Sequence, residues 1–374
     1  MRILLLTTGL KLGGAERQIA ALARQFAVRG HTVAVVSLTS GCEVELPASV
    51  ECLRLDMRKT PLSVLRALWQ MRCIVRAWRP DVLHAHMIHA NLFARALTRF
   101  MPTPPLICSA HSACEGGKLR MLMYRLTDRW CDLTTHVSAE ARKGMIEKGA
   151  VPTDRIVTLP NGIDTGTFKP DAHARSMTRE ALGLPDGAAL ILNVGRLVPE
   201  KDHATLLEAF AIARQSGLRA MLAIAGSGPA RIALEQQVSS LGLKGYVMLL
   251  GQRADIPDLM NAADLFVLSS RIEGMPLVIG EALACGTPVV STDAAGVAEL
   301  GGSLVPTVPV GDADALAGAI QAALDPATEP TTAALPDVRR QRIASRFCLS
   351  AVADQWLQLY AELQRKRAAS AGTT

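Results

Sequence analysis

Short apolar runs alternate with amphipathic helical patterns along most of this 374-residue chain, and few folds are compatible with that alternation. Residues 2–8 and 32–38 are predicted to form buried strands, and residues 15–29 place apolar side chains at helical spacing between them. After a polar, loop-like stretch over 165–185, the alternation restarts with a strand at 190–194. Such alternation is typical of doubly wound parallel α/β sheets, and we predict one in each half of the chain.

The predicted elements extend this pattern to the C-terminus. Further strands are predicted at 50–55, 81–86, 105–109, 133–137, 156–159, 220–225, 247–250, 265–268 and 287–291. Further helices are predicted at 63–78, 89–100, 118–130, 139–147, 203–215, 229–241, 256–262, 277–285, 312–324, 339–347 and 351–367. Residues 326–336 are predicted to be a loop and residues 368–374 a frayed tail.

The composition narrows the class of protein. Apolar residues make up 49% of the chain. No apolar run approaches the roughly 18 residues that a membrane-spanning helix needs. The first apolar run ends at Thr7-Thr8-Gly9, too early for a signal peptide, so we expect a buried strand there. The eight cysteines form no C-x-x-C pair, which predicts neither a disulfide framework nor a zinc site and favours the cytoplasm.

Charge divides the chain unevenly. Residues 1–170 carry 23 Lys and Arg against 13 Asp and Glu, a formal charge of +10. Residues 171–374 carry 17 against 21, a formal charge of −4. The basic first half indicates an anionic partner, with nucleic acid and a membrane surface as candidates. No aromatic-rich basic patch accompanies the charge, which argues against nucleic acid.

Two predicted helices combine an apolar face with a basic stripe. On residues 63–78 and just beyond, the apolar side is predicted to be Leu65, Leu68, Trp69 and Val75, and the stripe Arg72, Arg76 and Arg79. On residues 118–130, the apolar side is predicted to be Leu119, Leu122, Met123, Leu126 and Trp130, and the stripe Lys118, Arg125 and Arg129. Two ordinary solvated helix faces would give the same stripes.

The stretch from Ser270 to Pro288 places two carboxylates, Glu273 and Glu281, around a Gly-Met-Pro turn. An apolar strand enters it and a helix follows, so the N–H groups of the first helical turn face the loop. Backbone donors with two acceptors suit a polyhydroxylated ligand that carries an anionic group. A plain strand–turn–helix connection with a capping Glu is the alternative.

Other chemically suggestive groups also follow predicted strands. These are Gly13-Gly14, His111, Arg196 with Lys201, and Gly226-Ser227-Gly228. Two cations on one loop suit a diphosphate, although surface charges would look the same. A single histidine such as His111 is more often structural than functional.

A dinucleotide-binding site and a metal site are both disfavoured, because residues that each site requires are missing from the sequence. The glycines near the N-terminus do not match G-x-G-x-x-G, which argues against a nicotinamide-dependent oxidoreductase. His84, His86 and His89 suggest a metal site, but no carboxylate triad or cysteine pair accompanies them. We therefore expect no metal.

Together, five segments make the chain resemble the retaining nucleotide-sugar glycosyltransferases of family 4 (glycosyl transferases group 1). They are GGAER (13–17), PNGID (160–164), VGRLVPEKD (194–202), AGSGP (225–229) and EGMPLVIGEALACGTPVV (273–290), with Glu273 and Glu281 matching the E-x7-E motif. The resemblance implies a GT-B fold, with two Rossmann-like domains facing across a cleft and a C-terminal helix that crosses back. The expected domains are 1–168 plus 352–374 on the acceptor side and 169–351 on the nucleotide-sugar side.

The resemblance also implies roles for single residues. The expected catalytic set is Glu273, His111, Arg196 and Lys201, and the expected donor-binding set is Gly13, Gly14, Gly274, Met275, Leu277, Glu281, Gly226 and Arg253. Glu281 would bind the ribose, and Arg196 and Lys201 the diphosphate in place of a metal ion, so no cofactor is expected. Glu273 would position the sugar and stabilise charge during front-face substitution.

The resemblance further implies a retaining transfer of a hexose or N-acetylhexosamine to a lipid-linked or glycan acceptor in bacterial surface polysaccharide assembly, with UDP as the family's commoner donor nucleotide. With the basic stripes, it favours a polyprenyl-diphosphate-linked acceptor at an anionic membrane surface on the cytoplasmic side. A soluble transferase acting on a small molecule, and a silent sugar-binding protein, are the alternatives within this fold.

Overall fold

The computed structural model describes residues 1–11, 13–112, 117–185, 187–325 and 335–371. The chain forms two compact units, Met1–Gly162 with Leu349–Thr374, and Ile163–Cys348. The chain therefore passes from one unit to the other a few residues before the expected domain boundaries at 168 and 351. Each unit is an α/β domain around a wholly parallel sheet, which confirms the predicted fold class.

The first unit has a seven-stranded sheet in the order β3-β2-β1-β4-β5-β6-β7. Its strands are β1 (Arg2–Thr7), β2 (Thr32–Ser37), β3 (Glu51–Arg54), β4 (Val82–His86), β5 (Leu106–Ala110), β6 (Leu133–His136) and β7 (Ile156–Thr158). Its helices are α1 (Gly14–Val28), α2 (Pro61–Trp78), α3 (Ile88–Leu97), α4 (Lys118–Thr127), α5 (Ala139–Glu147) and the last helix of the chain, α14 (Leu349–Ala371).

The core of the first unit lies on both faces of its sheet, as a doubly wound parallel sheet requires. Ile3 and Leu5 of β1 belong to an apolar cluster with α1 and α14. Leu4 and Leu6 point the other way, into a cluster with α2 and α3. Because Trp356 and Tyr360 of α14 are buried in the first cluster, the C-terminal helix belongs to the N-terminal unit, as expected.

The second unit has a six-stranded sheet in the order β10-β9-β8-β11-β12-β13. Its strands are β8 (Ala189–Val194), β9 (Ala220–Ala225), β10 (Val247–Gly251), β11 (Leu265–Leu268), β12 (Val289–Thr292) and β13 (Thr307–Val308). Its helices are α6 (Ala172–Ala181), α7 (His203–Gln215), α8 (Arg231–Ser240), α9 (Ile256–Ala262), α10 (Leu277–Ala284), α11 (Val297–Gly301), α12 (Ala313–Leu324) and α13 (Leu335–Arg346).

Helix α6 corrects the prediction of a loop over 165–185. Asp171 caps the helix by accepting a hydrogen bond from the N–H of Ala174 at 2.9 Å. None of its residues is buried, so it lacks the apolar face that sequence patterns detect. Arg175 and Arg179 hold it instead, through the carboxylate of Asp264 at 2.5 and 2.9 Å.

Two segments of the prediction extend beyond the described residues. Of the predicted loop over 326–336, residues 326–334 lie outside them, and Leu335 and Pro336 begin α13. Of the predicted tail over 368–374, residues 372–374 lie outside them, and the preceding part continues α14.

The predicted apolar faces of α2 and α4 are partly wrong. On α2, Leu68 and Val75 are buried as predicted, but Trp69 is 66% exposed and Leu65 is also exposed. On α4, only Met121 and Tyr124 are buried. Its predicted apolar face, Leu119, Leu122, Met123 and Leu126, faces outward.

Arg95 of α3 explains the orientation of α4. Its side chain is fully buried, donates to the carbonyl of Tyr124 at 3.0 Å, and lies 4.7 Å from the Tyr124 ring centroid. The hydroxyl of Tyr124 accepts a hydrogen bond from Asn91 at 2.8 Å. These polar contacts turn the tyrosine inward, and the four larger apolar residues are left on the solvent side.

Candidate active site

In the second unit, the loops after β8 and β9 lie against each other. The N–H of Leu197 donates to the carbonyl of Ser227 at 2.9 Å, and the N–H of Ala230 donates to the carbonyl of Leu197 at 3.0 Å. A Cβ atom on Gly226 would lie 1.8 Å from the carbonyl oxygen of Gly195. Glycine is therefore required at Gly226, and the predicted glycine loop supports the loop that carries Arg196 and Lys201.

Lys201 and Glu273 form an ion pair. The Nζ atom of Lys201 lies 2.5 Å from Oε1 of Glu273, and both side chains are largely shielded from solvent. The lysine stem runs over Gly195, whose hypothetical Cβ would lie 3.7 Å from Cγ and Cδ of Lys201. The structure thus brings together a predicted diphosphate ligand and a predicted sugar ligand from loops that follow β8 and β11.

Asp202 and Arg271, which have no predicted role, fix the backbone on either side of this ion pair. The carboxylate of Asp202 accepts hydrogen bonds from Arg271 and from the hydroxyl of Thr205, both at 2.8 Å. The Oγ of Ser269 donates to the carbonyl of Lys201 at 2.9 Å. Asp202 also has a φ of +47°, an uncommon value for a residue other than glycine. Its place directly after Lys201 in the matched motif was the only available signal.

The turn at Gly274 and Met275 is buried and leads into α10. Pro276 is the residue directly before the helix. The first-turn N–H groups, including that of Leu277, have no acceptor within the helix. Gly296, with a φ of +79°, closes over the turn, since a Cβ there would lie 2.5 Å from the carbonyl oxygen of Gly274. Sequence reasoning missed Gly296 because its partner is 22 residues away.

Glu281 is buried in the second turn of α10, separate from the Lys201–Glu273 pair. Arg196 is exposed, and its guanidinium makes no hydrogen bond or ion pair within the described part of the chain. Arg253 follows β10 and binds the carboxylate of Asp255, with Nε 2.7 Å from Oδ1. That hydrogen bond lowers the pKa of Asp255. A role for Arg253 side-chain atoms in donor binding would require this contact to rearrange.

In the first unit, Gly13 caps α1 and Gly14 begins it, after the loop that follows β1. The carboxylate of Glu16 lies beside this helix start, because a Cβ on Gly13 would come 2.4 Å from its Oε2. An anionic group at the positive end of a helix is electrostatically favourable. The predicted phosphate-binding position therefore already has an anion of the chain next to it.

His111 directly follows β5 and is partly buried among other histidines. Its Nε2 lies 3.1 Å from Nδ1 of His86, at the end of β4. Burial, with the neighbouring His136, lowers the pKa of His111 to about 3. Burial lowers the pKa of His136 to about 4 and that of His86 well below its ordinary value. This part of the first unit is therefore uncharged at neutral pH.

The predicted basic stripes lie on the outer faces of the first unit. Arg76 and Arg79 are exposed and Arg72 is partly exposed, at the C-terminal half of α2. Lys118, Arg125 and Arg129 are exposed on and just after α4. The exposed apolar residues of α4 share that surface, with Leu119 at 71% and Leu126 at 62% exposure.

No group of three or more His, Cys, Asp or Glu side chains among the described residues is arranged to hold a metal ion. His84, His86 and His89 therefore form no such group. None of the helices in the described ranges is both long enough and apolar enough to cross a bilayer.

Two family models and a relative of similar length match the sequence of this chain. The model of the glycosyl transferases group 1 matches residues 175–333, and the model of Glycosyltransferase Family 4 matches residues 12–167. The chain is 32% identical over 284 residues to the alpha-D-kanosaminyltransferase of Streptomyces kanamyceticus, covering 69% of this chain and 71% of that protein. The chain belongs to the glycosyl transferases group 1.

Relatives within the family differ in substrate. An Escherichia coli UDP-Gal:alpha-D-GlcNAc-diphosphoundecaprenol alpha-1,3-galactosyltransferase is 28% identical over 238 residues, or 60% of this chain and 61% of that protein. For three curated relatives, including this one, the chain spans 57% to 61% of their length.

Solved structures confirm the GT-B fold. Anabaena Alr3699/HepE in complex with UDP-glucose has a TM-score of 0.82 and 25% identity, covering 97% of this chain and 100% of that one. A glycosyltransferase from Rickettsia africae has a TM-score of 0.84 and 18% identity, covering 96% of this chain and 98% of that one.

Proposed function

We propose that this protein is a retaining glycosyltransferase. It moves a hexose or N-acetylhexosamine from a UDP-linked sugar to a hydroxyl group of a lipid-linked or glycan acceptor, in the assembly of a surface polysaccharide on the cytoplasmic side of a membrane. The observation that carries the proposal is the 2.5 Å pair between Lys201 and Glu273, held beside a glycine-lined loop at the carboxyl ends of β8 and β11. Ligands of open parallel sheets bind at such strand ends.

The second unit supplies the main donor-binding groups in this proposal. Lys201 and the exposed Arg196 hold the diphosphate, and Glu281 binds the ribose hydroxyls. Gly226 lets the supporting loop approach closely, and backbone near Arg253 contacts the base. The binding of UDP-glucose by Anabaena Alr3699/HepE supports UDP as the nucleotide.

Glu273 has a double role in this proposal. Without a donor it neutralises Lys201; with one, the diphosphate takes over as partner of the lysine and Glu273 turns to the sugar hydroxyls. The N–H groups of Gly274, Met275 and Leu277 bind the sugar beside it. In the first unit, the proposed roles are binding of the diphosphate at Gly13 and Gly14 and contact with the sugar by His111.

The chemical step proposed is front-face substitution. The bond from the anomeric carbon to the diphosphate oxygen breaks while the acceptor oxygen bonds on the same face, and the acceptor proton passes to the departing phosphate. Positive charge on the sugar and negative charge on the phosphate peak together, so Lys201 and Arg196 stabilise the leaving group. No metal is required, because two cationic side chains supply that charge.

Sugar transfer by single variants tests the assignment. Lys201→Ala, Arg196→Ala and Glu273→Ala are each expected to abolish transfer while leaving the unfolding transition in place. Lys244→Ala, which removes an exposed lysine of the same unit, is the matched control and should keep wild-type turnover. Wild-type turnover by Lys201→Ala would refute the proposal, and thermal stabilisation by NAD but not by nucleotide sugars would favour an oxidoreductase.

A lipid-linked acceptor is supported by the surface of α4. Four of its ten residues are exposed apolar side chains, and it carries Lys118, Arg120 and Arg125 with no acidic residue. Apolar and basic groups on one exposed helix are typical of helices that lie on anionic membranes. The diphosphoundecaprenol acceptor named for the E. coli relative supports the same class of lipid.

The starts of α2, α3 and α4 extend this basic surface. Burial, then Arg120 of α4 and Lys59 just before α2, lower the pKa of His89 on α3. Charges at the starts of α2 and α4 are therefore within electrostatic reach of the imidazole at the start of α3. These helices start at the carboxyl edge of the sheet, and α4 begins seven residues after His111. A membrane-held diphosphate lipid could thus reach the same edge.

Vesicle co-sedimentation tests the membrane proposal. Binding should be stronger to anionic than to neutral vesicles, and Arg125→Gln should weaken it about fivefold, from about 1 kcal/mol per basic residue. The double variant Leu122→Gln/Leu126→Gln should weaken binding to both vesicle types. Ile232→Gln, at a 69% exposed site on α8, is the matched apolar control and should bind as wild type. Equal binding to both vesicle types would refute the proposal, and transfer only to a water-soluble acceptor would favour the small-molecule alternative.

A further inference from the structure

Histidines lie at or just after the ends of three neighbouring strands of the first unit, and three of their rings contact one another in sequence. His84 and His86 are at the end of β4, His111 follows β5, and His136 ends β6. The rings of His84 and His86 lie with centroids 3.9 Å apart, and those of His86 and His111 with centroids 5.3 Å apart. This cluster extends inward from His111, the one histidine with a role in the proposed reaction.

The contact between His86 and His111 imposes a rule on their protons. Because the pKa of each ring is lowered well below 6.5, both are neutral at pH 7 and each carries one proton. The 3.1 Å contact joins Nδ1 of His86 to Nε2 of His111, and one of those atoms must hold the proton between them. Either both rings are then protonated on Nδ1, or both are protonated on Nε2.

We propose that His86 is a positioning residue for His111, holding its Nε2, fixing its tautomer and keeping its ring neutral for sugar transfer. The inference rests on the proposed function of His111. Positive charge develops on the sugar during transfer, so an imidazolium beside it would oppose the reaction. A neutral imidazole held in one orientation avoids that cost.

His86 is itself held from the inner side. His84 uses both nitrogens, Nδ1 to the hydroxyl of Tyr360 and Nε2 to Oγ of Ser109, each at 2.6 Å. Its ring is thereby fixed against His86. Since Tyr360 lies on α14, the C-terminal helix forms the wall that supports the histidine pair.

His136 holds the chain on the other side of His111. Its Nδ1 accepts from the N–H of Ser138 at 3.2 Å, so its proton lies on Nε2, which donates to the carbonyl of Ser112 at 3.2 Å. The titratable groups of the described chain that act on the pair are His84 of β4 and His136 of β6. Both are themselves neutral at pH 7.

Histidine-labelled protein gives the direct test. Two-bond ¹⁵N–¹H spectra distinguish the Nδ1–H from the Nε2–H tautomer, and His86→Asn and His111→Asn identify the two signals. The wild type should show the same tautomer for both rings, and no protonation of either between pH 8 and 5. Opposite tautomers, or a His111 that titrates near 6.5, would overturn the proposal.

Kinetics of paired variants separate positioning from packing. The amide nitrogen of Asn can take the place of the Nδ1 atom of histidine, whereas the amide of Gln corresponds more closely to Nε2. We expect His86→Gln to lower kcat about 10- to 100-fold with little change in donor KM, and His86→Asn to recover most of that loss. His31→Asn, which alters a histidine bound to the N-terminus, should keep wild-type kinetics.

The pH profile supplies a readout that a purely structural role would not move. Wild-type kcat/KM should have no acid limb from His111 above pH 5. His86→Ala, which admits water beside His111, should acquire one between pH 5 and 6.5. Equal kcat for His86→Gln and the wild type, or unchanged pH profiles, would overturn the role of His86. Absence of sugar transfer by the wild type would instead refute the proposed function, whereas the tautomer measurement would still stand.

Discussion

The candidate site residues are charged in the second unit and largely uncharged in the first. In the second unit, Lys201 and Glu273 are charged and paired, and Asp202 and Arg271 form a second pair beside them. In the first unit, His86 and His111 meet as neutral rings in a buried cluster. A diphosphate leaving group is stabilised by fixed cations, whereas a sugar that becomes positive is destabilised by a cation beside it. The charged loops of the second unit therefore suit an anionic ligand, whereas the histidine cluster of the first unit suits an uncharged one.

Acid should affect the first unit most, and this is the largest effect we expect. His84, His86 and His136 are neutral when folded, whereas unfolded histidine binds a proton below about pH 6.5. The unfolded state then holds more protons, so stability falls as pH falls. Each buried ring costs about 2 kcal/mol at pH 5, or about 6 kcal/mol for three. Urea unfolding between pH 7 and 5 measures the loss.

Hydrogen exchange assigns that loss to a unit. In the second unit, His203 alone has a strongly lowered histidine pKa among the described residues, to about 4. The lowered pKa values of Asp255 and Asp264 stabilise that unit until pH falls below their ordinary value of 3.8. Peptides of the first unit should therefore lose protection at a higher pH. Loss from the second unit first, or a flat stability between pH 7 and 5, would contradict the comparison.

Gly226→Ala should have the next largest effect. The new Cβ would overlap the carbonyl oxygen of Gly195, so the loops after β8 and β9 must separate. We expect a loss of about 3 kcal/mol in the free energy of unfolding and weaker UDP binding. Gly318→Ala is the control, because its Cβ meets open space within α12, where alanine should stabilise by up to about 1 kcal/mol. Equal stability of the two variants, measured by urea unfolding, would refute the close approach.

Asp202→Asn should have the smallest effect of the three. It keeps the side-chain shape but removes the charge that holds Arg271, beside Lys201. We expect unfolding to become easier by about 1–2 kcal/mol. UDP should bind a few-fold more weakly, because Lys201 is less well held. A double-mutant cycle with Arg271→Gln should be non-additive; additive losses would mean that the pair does not support the site.

Most strands could be predicted from the sequence because they are apolar runs with clear ends, whereas the two-residue, partly exposed β13 was missed. The predicted run at 265–268 matches β11, and that at 2–8 exceeds β1 by one residue. Helix faces were harder to predict, as α4 demonstrates. Tyr124 is buried through its contacts with Arg95 and Asn91, which are about 30 residues away in sequence. No local periodicity contains that information.

In the candidate site, too, residues within local motifs could be predicted, whereas contacts between distant residues could not. Lys201 and Glu273 could be chosen because each is in a motif, but their 2.5 Å contact joins residues 72 apart. His86 was considered only as a metal ligand, since its contact with His111 depends on the pairing of β4 with β5. Gly296 and Arg271 have no local signal, because their roles arise from chain segments that meet only after folding.

Calorimetric titration with UDP in the presence of EDTA tests most directly that Lys201, rather than a metal, holds the donor diphosphate. The wild type and Lys244→Ala should bind UDP equally well. Lys201→Ala should bind at least about tenfold more weakly, the loss expected for one charge-assisted hydrogen bond. Unchanged affinity of Lys201→Ala, or UDP binding that appears only when a divalent cation is added, would contradict the account.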